Sequence, residues 1–89
     1  MAYSIDVPPR VEHALDELDG STYRRIRKVV DALGQDPRPP RCKKLGGSIY
    51  RIRVGDWRVI YAVFDDMRLV QLIRVVRRSE RTYKGLPRA

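Results

Sequence analysis

The chain has 89 residues, 43% hydrophobic and 34% charged, with a net charge of +8 at neutral pH. That describes one globular domain, 1–89, with a modest core, because a chain this short buries only about 60–65% of the surface it exposes when unfolded. The composition excludes a disordered chain, and no apolar run approaches the roughly 20 residues of a membrane span, so no membrane partner is expected.

Tyr3-Ser4-Ile5-Asp6-Val7 alternates apolar and polar residues, the pattern of a short strand. Pro8-Pro9 stops that strand and opens a helix. Val11, Ala14, Leu15 and Leu18 form its apolar stripe, and Asp19-Gly20 ends it. Ser21 is the expected N-cap of a second helix, with Tyr23, Ile26, Val30 and Leu33 on its buried face and Gly34 and Pro37 closing it. The two helices form an αα-hairpin. Gln35 to Gly47 is read as a loop rich in proline and glycine, carrying Lys43 and Lys44. Strands follow at Ser48–Val54, Asp56–Phe64 and Leu69–Val76, with turns at Gly55-Asp56 and Asp65-Asp66-Met67. The expected fold class is α+β: an N-terminal strand and an αα-hairpin packed on a mainly antiparallel, twisted sheet of about four strands, in the order β-α-α-β-β-β.

Glycine at the first central position of a two-residue loop predicts a type II′ hairpin turn at Gly55-Asp56. The register is then fixed: Val54 faces Trp57, Arg53 faces Arg58, Arg51 faces Ile60 and Tyr50 faces Tyr61. Side chains alternate across a strand, so Tyr50, Ile52, Val54, Trp57, Val59 and Tyr61 share an apolar face that packs on the helices. Arg51, Arg53 and Arg58 share the other. Like charges directly opposite one another in a sheet cost about 0.2–1 kcal/mol per pair. A pattern that served folding alone would avoid that cost, whereas a bound phosphate turns it into affinity. Arg74 and Arg78 have one parity along the last strand. A turn of odd length after Phe64 puts both on the Arg58 face, and we expect that turn because buried unpaired arginines are very costly. The same parity puts Ile60, Ala62, Phe64, Val70 and Leu72 on an open apolar end of that face, where a partner is expected to dock.

The charge distribution supports a polyanionic ligand. Residues 1–40 carry six Lys/Arg and seven Asp/Glu, whereas residues 41–89 carry thirteen and four. Cys42 is the only cysteine, which excludes an internal disulfide and suits a reducing cytoplasm. It is read as a bystander, since the one histidine, His13, lies in a distant segment beside the apolar stripe of its helix. One histidine and one cysteine make no metal-ligand set, so neither metal nor cofactor is expected. The N-terminus has no signal-peptide pattern.

Asp36-Pro37-Arg38-Pro39-Pro40, Lys43-Lys44-Leu45, the run from Tyr50 to Tyr61 (YRIRVGDWRVIY) and Val75-Val76-Arg77-Arg78 with Tyr83 resemble the RelE/ParE superfamily of bacterial toxins. The resemblance covers almost the whole chain, including element order. It implies a toxin–antitoxin module, in which an antitoxin wraps the toxin and binds operator DNA, so that the toxin meets DNA only through that complex. The RelE branch cleaves mRNA in the ribosomal A site without a metal; the ParE branch keeps the fold, lacks the nuclease residues and poisons DNA gyrase. By this likeness Arg51, Arg53, Arg58, Arg78 and Tyr83 are the catalytic residues. Lys43, Lys44, Arg74, Arg77 and Arg81 are expected to contact RNA or the ribosome, and Ile60, Phe64 and Leu72 the antitoxin. Tyr83 and Glu80 are the candidates for a general base, because arginine is not deprotonated in proteins. A gyrase inhibitor and a degenerate RNA-binding module are the competing readings.

Overall fold

The computed structural model describes residues 2–77; the sequence-predicted Arg78, Glu80, Arg81 and Tyr83 fall outside them. The chain runs β1 (Ser4–Asp6), α1 (Pro9–Asp16), α2 (Gly20–Leu33), β2 (Lys43–Gly46), β3 (Ile49–Val54), β4 (Trp57–Phe64), a 3₁₀ turn (Asp65–Met67) and β5 (Leu69–Arg77). Five strands form one sheet in the order β1-β5-β4-β3-β2. Every pairing is antiparallel except that of β1 with β5. The α+β, RelE-like arrangement expected from the sequence is therefore present, with one strand more than anticipated. That strand is β2, in the segment read as loop. It is exposed throughout and its pairing with β3 is irregular between Lys44 and Gly46, so no hydrophobic alternation marks it.

Both helices cover one face of the sheet. Pro9 starts α1 at its first position, where a missing N–H costs nothing, and α1 buries Val11 and Leu15. The N-cap of α2 is Asp19 rather than Ser21: its carboxylate accepts from the Thr22 backbone N–H at 2.8 Å and from the Thr22 hydroxyl at 3.1 Å. Those bonds hold the Asp19 carboxyl below the usual aspartate range. Ile26, Val30 and Leu33 of α2 meet Tyr50, Ile52, Val54, Val59, Tyr61 and Val63 from the sheet in a single core cluster. His13 lies on the exposed side of α1, 3.4 Å from Glu17 one turn on, as a surface residue.

The β4–β5 connection corrects the sequence reading. Phe64 pairs with Leu69, so the turn has four residues, an even number. Val70 and Leu72 therefore point into the helix-side core, 0% and 1% exposed, and Leu72 is not on the open face. An irregularity in the ladder then reverses the parity: Tyr61 pairs with Leu72 but Ile60 pairs with Arg74, leaving Ile73 as the extra residue of a β-bulge. The bulge returns Arg74 to the face of Ile60 and Arg58 by a route other than the expected odd turn. One strand thereby fills the core with its first half and presents an arginine on the opposite face with its second.

Candidate nucleic-acid interface

The β3–β4 hairpin sets the geometry. Gly55 has φ +61° and Asp56 does not take a positive φ, the combination a type II′ turn requires. The observed register matches that expected from the turn, with Arg53 opposite Arg58, Arg51 opposite Ile60 and Tyr50 opposite Tyr61. Beyond the hairpin, Lys43 of β2 pairs with Arg51 and Arg74 of β5 pairs with Ile60. Lys43, Arg51, Ile60 and Arg74 thus lie in one line across four strands, about 14 Å from end to end at the usual strand spacing. Arg53 and Arg58 form the neighbouring line, continued by Val76 on β5.

Five cations therefore occupy one open sheet face. Lys43, Arg53 and Arg74 are exposed; Arg51 and Arg58 are half-buried. The Nε of Arg58 is out of solvent. Two sequence-predicted contacts lie elsewhere. Lys44 pairs with Tyr50 and so belongs to the helix side of the edge strand. Arg77 also lies on the helix side, its guanidinium 5.8 Å from the ring centre of Trp57. Away from the arginines the face is apolar. Ile49 and Ala62 share one line with Gln71, the polar exception, whose amide donates to Asp6 at 2.9 Å, and Phe64 and Leu69 form the next. Ile60 and Phe64 are half-buried on this face, as expected.

A polar clasp that was not legible in the sequence holds the opposite end of the sheet. Arg38 donates to both oxygens of Asp65, at 2.7 and 3.2 Å, and its Nε donates to the Tyr50 hydroxyl at 3.0 Å. The Tyr3 hydroxyl donates to Asp65 at 2.6 Å, and the buried Tyr61 hydroxyl donates to the Pro37 carbonyl at 2.8 Å. Arg38, then Tyr3, holds the Asp65 carboxyl below its ordinary range, and Asp65 in turn raises the Tyr3 phenol. Burial raises Tyr61. The clasp ties the proline-rich segment 36–41 to β1, β3 and the β4–β5 turn, and so fixes the chain leading into Lys43. Cys42, directly after that segment, packs against the core.

A family model described as "ParE toxin of type II toxin-antitoxin system, parDE" matches residues 5–82. The chain belongs to the RelE/ParE superfamily of type II toxins. Within the superfamily it is RelE-like. The Methanocaldococcus jannaschii protein named "Putative toxin RelE1" is 33% identical over 90 residues, covering 96% of this chain and 99% of that one. The RelE-like fold is shared with the archaeal RelE–RelB complex from Pyrococcus horikoshii OT3, at a TM-score of 0.79 and 29% identity over 90% of this chain and 99% of the other. The isolated E. coli RelE toxin superposes with a TM-score of 0.77 at 25% identity, covering 98% of each chain. The segments quoted above for the resemblance carry most of the features unusual for a stable sheet, above all the facing arginines of this RelE-like toxin.

Proposed function

We propose that this toxin is a ribosome-dependent mRNA endoribonuclease that blocks translation and arrests growth in the cytoplasm, using neither metal nor cofactor. The observation that carries the reading is Arg53 directly opposite Arg58, with Arg51, Arg74 and Lys43 on the same open face. Such a cluster concentrates positive charge on one face of the sheet, which suits a polyanion.

The chemistry follows from RNA itself. The 2′-OH attacks the adjacent phosphorus in line, the P–O5′ bond breaks, and the products are a 2′,3′-cyclic phosphate and a 5′-OH. Arg58 and Arg78 stabilise the charge gathering on the scissile phosphate, since a guanidinium offers several donors in a planar fork. Arg51 and Arg53 hold flanking phosphates. Tyr83 stacks on a base or takes the 2′-OH proton, with Glu80 as the alternative acceptor. Lys43, Arg74, Arg77 and Arg81 add contacts to RNA and the ribosome, with Lys44 on the reverse of the edge strand. A site without a strong base cleaves free RNA slowly and relies on the ribosome to align the chain.

A cognate antitoxin is the second partner, and operator DNA is reached only through that complex. The Pyrococcus RelE fold occurs bound to RelB, and here the apolar end of the open face, around Ile60 and Phe64, is the surface an amphipathic antitoxin segment would cover. Gyrase inhibition without nuclease activity is the second reading, favoured by the match to a ParE family model. Primer extension on mRNA after brief expression separates the two. Discrete cleavage within translated codons supports the nuclease; intact mRNA with stalled gyrase complexes supports the inhibitor.

A further inference from the structure

On the reverse of the β3–β4 hairpin tip, away from the arginine face, lies an open polar groove of about 400 Å³, of whose walls the reading above uses only Arg77. Glu17, Arg25, Asp56, Trp57 and Arg77 are among its walls. That volume is within the range of small-ligand sites, roughly 300–1,000 Å³.

Three observations bear on what it takes. First, Trp57 is half-buried and the Arg77 guanidinium lies 5.8 Å from its ring centre, so an aromatic ring and a cation stand side by side at the wall. Second, the Arg25 guanidinium rests against Gly55, where a Cβ would come within 2.7 Å of Nη2; the bare turn lets this arginine lie at the cavity mouth. Third, Asp56, Arg25 and Arg77 share the cavity yet form no ion pair among the described residues, whereas Glu17 already pairs with His13 and Asp19 caps α2. Opposite charges that line one space without meeting leave a ligand to bridge them.

We infer that this cavity binds a guanine nucleotide, either free or within RNA. A carboxylate is acceptor-only with two oxygens, and the guanine edge alone among the four bases presents two adjacent donors, N1–H and N2–H. Adenine and cytosine set one donor beside an acceptor, and uracil sets its single donor between two acceptors. Asp56 therefore selects guanine. The Trp57 ring supplies the stacking surface, with the Arg77 cation beside it, and Arg25 supplies the phosphate contact. The site does not depend on the cleavage reading: binding is measured without ribosome or mRNA.

Trp57 is the only tryptophan in the chain, so its fluorescence reports the site directly. The purified toxin is titrated with each of the four nucleoside monophosphates and with a short RNA containing one guanosine. GMP is expected to give a saturable change at a concentration at least about tenfold below the other three, the scale on which a mismatched polar edge is rejected. Asp56→Asn should abolish that preference while keeping the melting temperature, because asparagine suits the same turn position. Arg25→Gln should weaken all four nucleotides alike. Tighter binding of the RNA than of GMP identifies a base within RNA as the ligand; the reverse identifies the free nucleotide. Equal responses to all four bases, no saturable response, or a guanine preference that survives in folded Asp56→Asn overturns the proposal.

Discussion

Arg38 grips Asp65 with both terminal guanidinium nitrogens, and this one contact joins the proline-rich segment after α2 to the turn between β4 and β5. Because the Asp65 carboxyl titrates below its ordinary 3.8, its stabilising contribution is fully present above that value and is lost as the pH falls through the lower, folded-state value. The melting temperature should be level from neutral pH down to about 5 and fall below about 4. Asp65→Asn should flatten that fall without abolishing it, since Asp19 is held low as well. The pair is partly exposed, so high salt should also reduce the Asp65 contribution. Melts followed by circular dichroism across pH and salt test this; identical acid profiles for the two proteins would exclude the clasp as a source of stability.

Arg58→Ala should remove toxicity and mRNA cleavage while the protein stays folded. Loss of one charge-stabilising donor costs about 10²–10³ in rate. Arg58 lies on the face of the sheet opposite the helices, so its removal takes no side chain out of the core. Arg58→Lys should recover only part of the activity, because an ammonium cannot fork onto a phosphate. Growth arrest and primer extension give the readout, with melts as the fold control. A folded and fully toxic Arg58→Ala protein would transfer the weight to gyrase inhibition.

Ile60 and Leu72, paired in the sequence reading, should behave in opposite ways. Ile60→Asp on the open face should abolish antitoxin capture and leave the melt cooperative. Leu72 is 1% exposed beneath the helices, so Leu72→Ala should cost about 2–5 kcal/mol and Leu72→Asp should not fold. Pull-down with the antitoxin and thermal melts distinguish the two. Unchanged capture by Ile60→Asp would move the partner to another surface.

Lys43 and Lys44 are adjacent in sequence but belong to opposite faces. Binding of a single-stranded RNA should weaken linearly on a log–log plot against salt, and Lys43→Gln should make that slope shallower by about 0.7, the share of one phosphate contact. Lys44→Gln should change it much less. Equal effects from both variants would argue against the line of cations across the sheet as the path of the RNA.

The contrast between these neighbours shows what the sequence could and could not convey. The register from Tyr50 to Tyr61 was legible because a glycine-first two-residue turn leaves one pairing and the apolar face follows from it. The strand at Lys43–Gly46 was not, since it buries nothing and leaves no hydrophobic period. The side of Leu72 was read wrongly because parity depends on the turn length and on a bulge, and a bulge at Ile73 looks like any other isoleucine in a strand. Ser21 and Asp19 are both good cap residues two positions apart; the backbone decides between them through Thr22. The Arg38 clasp joins residues 27 positions apart, a distance at which no local pattern is visible.

The pairing of β1 with β5 has a consequence for biosynthesis. β5 lies between β1 and β4, so the earliest strand to be made joins the sheet only through the latest of the described strands. Until residues 69–77 have left the ribosome, β1 has no strand to pair with and the core beneath α1 lacks Val70 and Leu72. Arg74 arrives on that same strand. Because this long-range pairing must wait for its partner strand, a nascent copy cannot close its sheet, or complete the line of cations across it, until β5 has emerged.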